Sequence, residues 1–232
     1  MRKGDEKRQA ILDVSEKLFY LKGFEQTSVQ DVLDVLKSSK GSFYHHFESK
    51  YSVLETLCAQ RAEKAMDAAQ ESLHDDLDCL ERLNKLLYYA MPLRKGEEQF
   101  LTLLLPMTAT ENGHTLCAQY AQALQDAFCP LLKEELHAAF MQKLVHLYYP
   151  DQTAPILMAL LNQCWLKIAK HLMEVRQQGE AADAGQIVEI LQAYRFSLER
   201  LIDAPFGTFE IQRITELHQV AQRVLVEIRL AQ

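Results

Sequence analysis

The chain has 232 residues and a mass of 26.7 kDa, enough to bury a substantial hydrophobic core in one or two domains. Hydrophobic residues make up 48% and charged residues 25% of the sequence, a balance typical of a soluble globular protein and too apolar for intrinsic disorder. With only 8 Gly and 6 Pro, the sequence has too few turn residues for a sandwich or barrel, so long helices are expected.

The same sequence features predict a cytoplasmic protein with no membrane segment. No uninterrupted apolar run reaches the roughly 18 residues that suggest a membrane span. Acidic and basic residues are mixed over residues 1–10, which disfavours a secretory signal. The cysteines are odd in number, contain no CxxC pair and lie mostly in apolar helical runs. They are therefore expected to be reduced core thiols: Cys58, Cys79, Cys117, Cys129 and Cys164.

Helical periodicity organises the N-terminal quarter of the chain. Apolar residues three and four apart predict a first helix over about 7–22, and Gly23 ends it. A second, short helix is predicted over 28–35. A third carries Phe43 and Phe47 one turn apart, and a polar break separates it from the second. This arrangement predicts a helix-turn-helix, followed by a long fourth helix that starts near residue 51 and runs to about 73.

The remainder of the chain is predicted to be helical throughout. Gly and Pro residues bound the runs, and Pro130 is expected to kink the longest of them. No strand pattern or internal repeat is evident, so the fold class is all-α with about ten helices in total. The predicted helices are 78–92, 97–111, 115–149, 152–178, 184–204 and 210–231.

Positive charge is concentrated in the predicted helix-turn-helix. Residues 1–50 carry nine Lys or Arg against eight Asp or Glu, whereas the whole chain has a formal net charge of −7. Over residues 36–50, Lys37, Lys40 and Lys50 face a single acidic residue. A basic patch on an acidic body is compatible with docking on phosphate, and a solvated helix face is the alternative.

The third helix is the element predicted to enter a DNA major groove. Because Phe43 and Phe47 face the core, the outward residues are Lys40 and Ser42, with Ser39 and His45 beside them. Lys40 is able to donate to guanine O6 and N7, and Ser42 to donate or accept at a base edge.

Residues 11–54 resemble the DNA-binding domain of the TetR family of transcriptional regulators. The resemblance is carried, in order and without a gap, by Leu18-Phe19, Gly23-Phe24, Thr27, Val32, Ser39-Lys40-Gly41, Tyr44-His45-His46-Phe47 and Lys50. Three residues in and before the turn depart from the family pattern: Leu36, Lys37 and Ser38. Lys37 stands where the family often has Gly, so it is expected to require a strained φ.

The resemblance implies a domain organisation and a set of DNA contacts. A three-helix DNA-binding domain would occupy residues 1–50, and the fourth helix, 50–73, would connect it to a helical ligand-binding and dimerisation domain over 51–232. Base contacts are expected from Ser39, Lys40, Gly41, Ser42 and His45, where Gly41 allows close approach. Phosphate contacts are expected from Thr27, Ser28, Tyr44, His46 and Lys50.

The resemblance also implies the partners. A homodimer would bind palindromic double-stranded operator DNA and act as a repressor. A small apolar or aromatic effector would release it from the DNA. No cofactor or metal is expected, and the protein is not expected to be an enzyme. Candidate residues for an effector pocket are Tyr88, Met91, Phe100, Met107, Tyr120, Phe128 and Trp165, for which ordinary core packing is the alternative. Candidates for the dimer interface are Leu157, Leu161, Ile168, Leu172, Ile187, Leu191, Tyr194 and Leu198. The alternative is that this stripe faces the subunit's own core.

Two other functions remain open from the sequence. Asp75, Asp76 and Asp78 form an acidic cluster that would suit a metal in a helical-bundle enzyme, although acids at a helix start more often act as caps. A helical scaffold protein is the other possibility.

Overall fold

The computed structural model describes residues 3–178, 184–211 and 214–230. This part of the chain contains ten helices and no strand, which confirms the all-α prediction. The helices are α1 (Lys3–Lys22), α2 (Val29–Leu36), α3 (Lys40–Tyr44), α4 (Lys50–Ser72), α5 (Cys79–Ala90), α6 (Glu98–Met107), α7 (Glu111–Met141), α8 (Pro150–Gln178), α9 (Ala184–Leu201) and α10 (Ile214–Leu230).

Side-chain caps define the short helices of the N-terminal region. The Ser28 side chain accepts a hydrogen bond from the Asp31 N–H, and the Asp31 carboxylate accepts one from the Ser28 N–H, which makes a capping box at the start of α2. Ser39 caps α3 by accepting from the Ser42 N–H. Ser49 caps α4 in the same way. Each cap pairs a backbone donor that the helix itself leaves free.

The turn between α2 and α3 contains the strained residue that the sequence predicts. Lys37 has φ 49° and ψ 47°, the left-handed conformation that glycine adopts without penalty. A non-glycine residue costs about 1–2 kcal/mol there. The Lys37 and Ser38 N–H groups donate to the carbonyls of Asp34 and Leu33, so the turn ends α2 with its last carbonyls paired.

Several helix boundaries in the body differ from the predictions. Helix α6 ends at Met107 rather than 111, α7 begins at Glu111 rather than 115, and α9 ends at Leu201 rather than 204. The predicted helix 115–149 is wrong at its end, because α7 stops at Met141. Lys143 adopts a left-handed φ of 60°, and the Leu144 N–H donates back to the Ala139 carbonyl, which closes the helix. The last helix begins at Ile214 rather than 210, and its predicted end, residue 231, lies outside the described residues.

The body packs around α7, which contacts α4, α5, α6 and α8. Helix α9 packs on α8, and α10 packs mainly on α6. All five cysteines are buried and free, in agreement with the prediction of core thiols. Burial raises the pKa of the Cys117 thiol to about 11 and that of Cys164 to about 12.

A half-buried arginine joins the N-terminal helices to the body. Arg61 of α4 contacts the Glu16 carboxylate at 3.2 Å and the Tyr20 hydroxyl at 3.2 Å, both on α1. Its other terminal nitrogen lies 3.3 Å from the carboxylate of Glu97, next to α6. Its guanidinium also lies over the Phe100 ring. Arg61 therefore fixes α1, α4 and α6 relative to one another.

Candidate nucleic-acid interface

Helix α3 presents a small polar surface at its start, where Phe43 is directed into the fold. Phe43 and Phe47 are buried, with their ring centroids 6.0 Å apart. Ser39, Lys40 and Gly41 are exposed on the other side of the helix. This surface therefore has one cation, one hydroxyl and one residue without a side chain within three consecutive positions.

Gly41 is not required by the fold. A Cβ built at this position would meet no atom nearer than the Ser39 Oγ, at 4.0 Å. Its φ is not in the left-handed region that favours glycine. Alanine would favour a helix by about 1 kcal/mol over glycine, so neither packing nor backbone geometry explains this residue. Close approach of another molecule would explain it.

The other predicted base-contact residues differ in their availability. Lys40 makes no ion pair or hydrogen bond through its ammonium group with any described residue, and His45 is exposed beside the His46 ring. Ser42 is half-buried, and Ser39 uses its hydroxyl oxygen as the α3 cap. A serine hydroxyl that accepts one hydrogen bond still has a donor and a lone pair for a base or phosphate.

Among the predicted phosphate-contact residues, Ser28, Tyr44 and His46 lie at the surface around α3. Ser28 is exposed at the start of α2, and Tyr44 is 55% exposed, with its ring edge against Phe43. His46 is half-buried. Hydroxyl and imidazole groups that are at least partly exposed are suited to contact with a phosphate backbone.

Thr27 lies next to the start of α2, as predicted, but its side chain is turned into the protein and not toward solvent. The residue is 1% exposed, and its hydroxyl donates to the Gly23 carbonyl at 2.7 Å. This contact closes the loop between α1 and α2. The side chain is therefore a structural element of the loop, not a phosphate ligand as the resemblance implies.

Lys50 is likewise bound within the protein. Its ammonium group donates to the carbonyls of Phe24 at 2.9 Å and Glu25 at 3.1 Å, and it lies 4.5 Å from the centre of the Phe24 ring. The Glu25 carboxylate is 3.6 Å away. These contacts hold the start of α4 against the loop that precedes α2. They engage much of the ammonium group within the protein, and the phosphate contact of Lys50 stays a prediction.

Among the cavities formed by described residues, none is lined by the predicted pocket residues as a group. Tyr88 is half-buried, and its hydroxyl donates to the Glu216 carboxylate on α10 at 2.7 Å. A void beside Met158 and the Trp165 ring measures only about 10 Å³, which is too small for an organic ligand. The remaining six are core residues no more than 4% exposed: Met91, Phe100, Met107, Tyr120, Phe128 and Trp165.

The predicted dimer stripe is also wrong, because it faces the subunit's own core. Tyr194 is half-buried against the core, and the other seven residues are at most 3% exposed: Leu157, Leu161, Ile168, Leu172, Ile187, Leu191 and Leu198. Periodicity correctly indicated a buried stripe on each helix. It did not indicate which surface buries the stripe.

Asp78 has a structural role at the start of α5. Its carboxylate accepts from the Glu81 N–H at 2.8 Å, and Glu81 accepts from the Asp78 N–H in return. Asp75 and Asp76 are exposed. Within the described ranges, His, Cys, Asp and Glu side chains nowhere form a group of three suited to a metal ion.

None of the described helices is long and apolar enough to span a bilayer.

The helix-turn-helix region matches a known family. The sequence profile described as "Bacterial regulatory proteins, tetR family" matches residues 11–57, which contain the α2–α3 turn and the start of α4. Over these residues the chain is similar to the DNA-binding region of TetR-family regulators.

Similar proteins extend this comparison. The chain is 34% identical over 111 residues to the uncharacterized HTH-type transcriptional regulator YerO of Bacillus subtilis (strain 168), covering 47% of this chain and 37% of that protein. It is 30% identical over 81 residues to the HTH-type transcriptional repressor KstR2 of Rhodococcus jostii (strain RHA1). That match covers 35% of this chain and 40% of KstR2. These matches span about two-fifths of the length of the curated relatives.

The TetR-like architecture continues beyond the matched residues. A crystal structure of a TetR-family transcriptional regulator from Pectobacterium atrosepticum superposes with a TM-score of 0.56 at 18% identity, covering 88% of this chain and 99% of that one. At this identity the likeness concerns the fold. The helical body of this chain therefore has a fold similar to that of the Pectobacterium protein.

Proposed function

We propose that this protein is a TetR-family transcriptional regulator that binds palindromic operator DNA and represses transcription. Residues 1–50 form its DNA-binding domain, residues 51–232 form the body, and α4 connects the two. The observation that carries the proposal is the exposed Lys40-Gly41 pair on α3. Lys40 has no partner among the described residues, and Gly41 is present although the fold accepts a larger residue. Both suit a helix placed against base edges in a major groove.

The active form is a homodimer, because one helix as short as α3 makes too few contacts for specificity. A two-fold dimer places two such helices at half-sites about 34 Å apart. The outer faces of α8 and α9 suit this interface, since they carry exposed apolar side chains beside the buried stripe. Ile156 is 47%, Phe196 50% and Leu201 38% exposed. Two helices from each subunit would form a four-helix bundle there.

A small apolar or aromatic effector releases the DNA. The mechanical support for this proposal is α4, which begins beside the DNA-binding helices and packs along α7 in the body. A ligand that tilts α4 changes the separation of the two α3 helices. Its effect is limited to its difference in affinity for the two dimer shapes, typically about 1–3 kcal/mol.

Selection of bound DNA from a random library tests the DNA-binding function. Sequencing should return an inverted repeat whose half-sites are spaced by whole turns of the duplex. Lys40→Ala should lose enrichment at one base pair in each half-site, whereas Lys64→Ala, on the exposed side of α4, should return the parent sequence. Recovery of DNA with no shared sequence would refute the proposal.

Light scattering at micromolar concentration tests the dimer. The parent protein should have the mass of two chains, and the double variant Ile156→Glu with Phe196→Glu should have the mass of one. Leu21→Glu makes the same apolar-to-charged change at an 80% exposed position on α1 and should remain dimeric. A monomeric parent protein, or a dimeric double variant, would exclude this interface.

A further inference from the structure

A cleft separates the DNA-binding helices from the body. One wall is formed by the last turn of α1 and the loop that follows it, residues 19–26. The opposite wall comes from α6, at positions 102–107, and from Arg176 in the last turn of α8. The cleft measures about 460 Å³, which is within the range of sites for small organic molecules. Unlike the packed core around Trp165, it is already open.

Apolar side chains form most of the surface of this cleft. Phe24 contributes from the α1–α2 loop, and Leu103, Pro106 and Met107 contribute from α6. Thr102 is half-buried at its edge. Met107 is the one predicted pocket residue that lines this cleft. The surface therefore suits an aromatic or aliphatic body of moderate size.

The charged residues of the cleft determine which kind of polar group a ligand needs in order to bind there. Lys22 is paired with the Asp31 carboxylate, and the carboxylate of Glu25 lies 3.6 Å from the Lys50 ammonium group. Arg176 is half-buried and makes no ion pair or hydrogen bond with a described residue. Its guanidinium is the charge in the lining that the described residues leave uncompensated. A guanidinium binds a carboxylate with two parallel hydrogen bonds.

The helix ends that border the cleft do not reverse the preference for an anion that Arg176 gives it. Both α1 and α6 end at the cleft, and a helix C-terminus carries a partial negative charge that favours cations. The Phe19 and Gly23 carbonyls, however, already accept from the Gly23 N–H and the Thr27 hydroxyl. The Met107 carbonyl accepts from the Thr110 N–H. The full charge of Arg176 therefore dominates the cleft.

We propose that this cleft binds an organic monoanion with an aromatic or aliphatic body, whose carboxylate pairs with Arg176. Occupancy holds α1 against α6, because the ligand touches both walls at once. This regulatory part rests on the proposed DNA-binding function. The ligand favours the arrangement of the DNA-free protein, so operator affinity falls when the cleft is filled, and operator DNA weakens ligand binding by the same factor.

Calorimetric titration of the DNA-free protein tests the site itself. The probe is 2-naphthylacetate, and 2-(2-naphthyl)ethylamine is its cationic counterpart. We expect the anion to bind and the amine to bind at least about tenfold more weakly, given the usual strength of charge-assisted hydrogen bonds. Arg176→Met should weaken binding of the anion about tenfold or more. Arg176→Lys keeps the charge but not the two parallel hydrogen bonds, so its affinity should lie between those of the parent protein and Arg176→Met.

Two further variants control for position and volume. Lys64→Met removes a cation from the exposed side of α4 and should leave probe affinity unchanged. Thr102→Trp should fill the cleft and abolish binding while circular dichroism shows a folded protein. The site is refuted by the absence of 2-naphthylacetate binding, by equal affinity for the amine, or by equal affinity in Arg176→Met.

A second titration tests the regulation. The operator affinity of the parent protein should fall with 2-naphthylacetate, whereas that of Arg176→Met should be unaffected and begin at the parent value. An unchanged or raised operator affinity of the parent would refute the regulatory role. If the parent protein bound no selected DNA at all, the proposed function would fail, and calorimetry would still decide the site.

Discussion

Replacement of Lys50 by Met distinguishes a structural role for this lysine from a phosphate contact. Methionine keeps an apolar stem of similar length and removes the ammonium group. The variant therefore loses the hydrogen bonds to the Phe24 and Glu25 carbonyls and the cation–π contact with the Phe24 ring. The loop before α2 then has no side-chain contact from this position.

The expected loss of stability is moderate. Hydrogen bonds from a charged donor contribute about 1.5–3 kcal/mol each, but water replaces part of this where the groups are accessible. The Lys50 side chain is 24% exposed, so about 1 kcal/mol for each bond is appropriate. The cation–π contact contributes roughly 0.5 kcal/mol at such a site. A total of about 2.5 kcal/mol lowers Tm by roughly 5–10 °C in a protein of this size.

Calorimetry and the salt dependence of DNA binding together decide the role. The Tm of Lys50→Met should be lower than that of the parent protein. The slope of the logarithm of the operator-binding constant against the logarithm of the salt concentration, measured well below Tm, should be the same in both proteins. A lysine that neutralises a phosphate would instead reduce that slope by about 0.9. Lys64→Met, with its cation on the exposed side of α4, should change neither quantity. An unchanged Tm with a reduced slope would show that Lys50 binds phosphate, against the reasoning from its contacts.

Three further predictions follow from local geometry. A Cβ at position 113 would lie 1.9 Å from the Met107 carbonyl oxygen, so Gly113→Ala should cost about 3 kcal/mol in urea unfolding. Gly41→Ala, with no atom nearer than 4.0 Å, should raise stability by up to about 1 kcal/mol and weaken operator binding. Because burial raises the thiol pKa of Cys117 to about 11 and of Cys164 to about 12, iodoacetamide at pH 8 should modify them slowly in the native protein and quickly in urea, as mass spectrometry would report. Lys40→Ala should cost about 1–3 kcal/mol at the operator in competition binding, and base preference should relax at one position.

The outcomes for individual helices separate local from tertiary information. The end of α1 at Lys22 and the left-handed Lys37 were predictable because each depends on a few adjacent residues. The end of α7 was not, because Lys143 adopts a left-handed φ without a Gly or Pro to signal it. Local signals fail where an ordinary residue takes an uncommon backbone conformation.

The outcomes for α8 show what periodicity leaves open. Leu157 and Leu161 repeat at helical spacing, and so do Ile156 and Leu160 one position earlier. Either pair could face the subunit's own core. The structure buries the first pair, while Ile156 is 47% exposed. A hydrophobic stripe predicts burial, but the partner that buries it depends on the packing of all neighbouring helices.

The sequence by itself determined the helical class, the helix-turn-helix and the residues on its outward surface, because these follow from periodicity, capping and a contiguous family motif. Only the tertiary structure showed the contacts of Lys50 and the position of Arg176 in the cleft. Lys50 meets the carbonyl of Phe24 across 26 positions of the chain, and Arg176 faces the loop after α1 from the far end of α8. Such contacts depend on the mutual placement of distant helices, which is set by the packing of the whole core and has no local signal in the sequence.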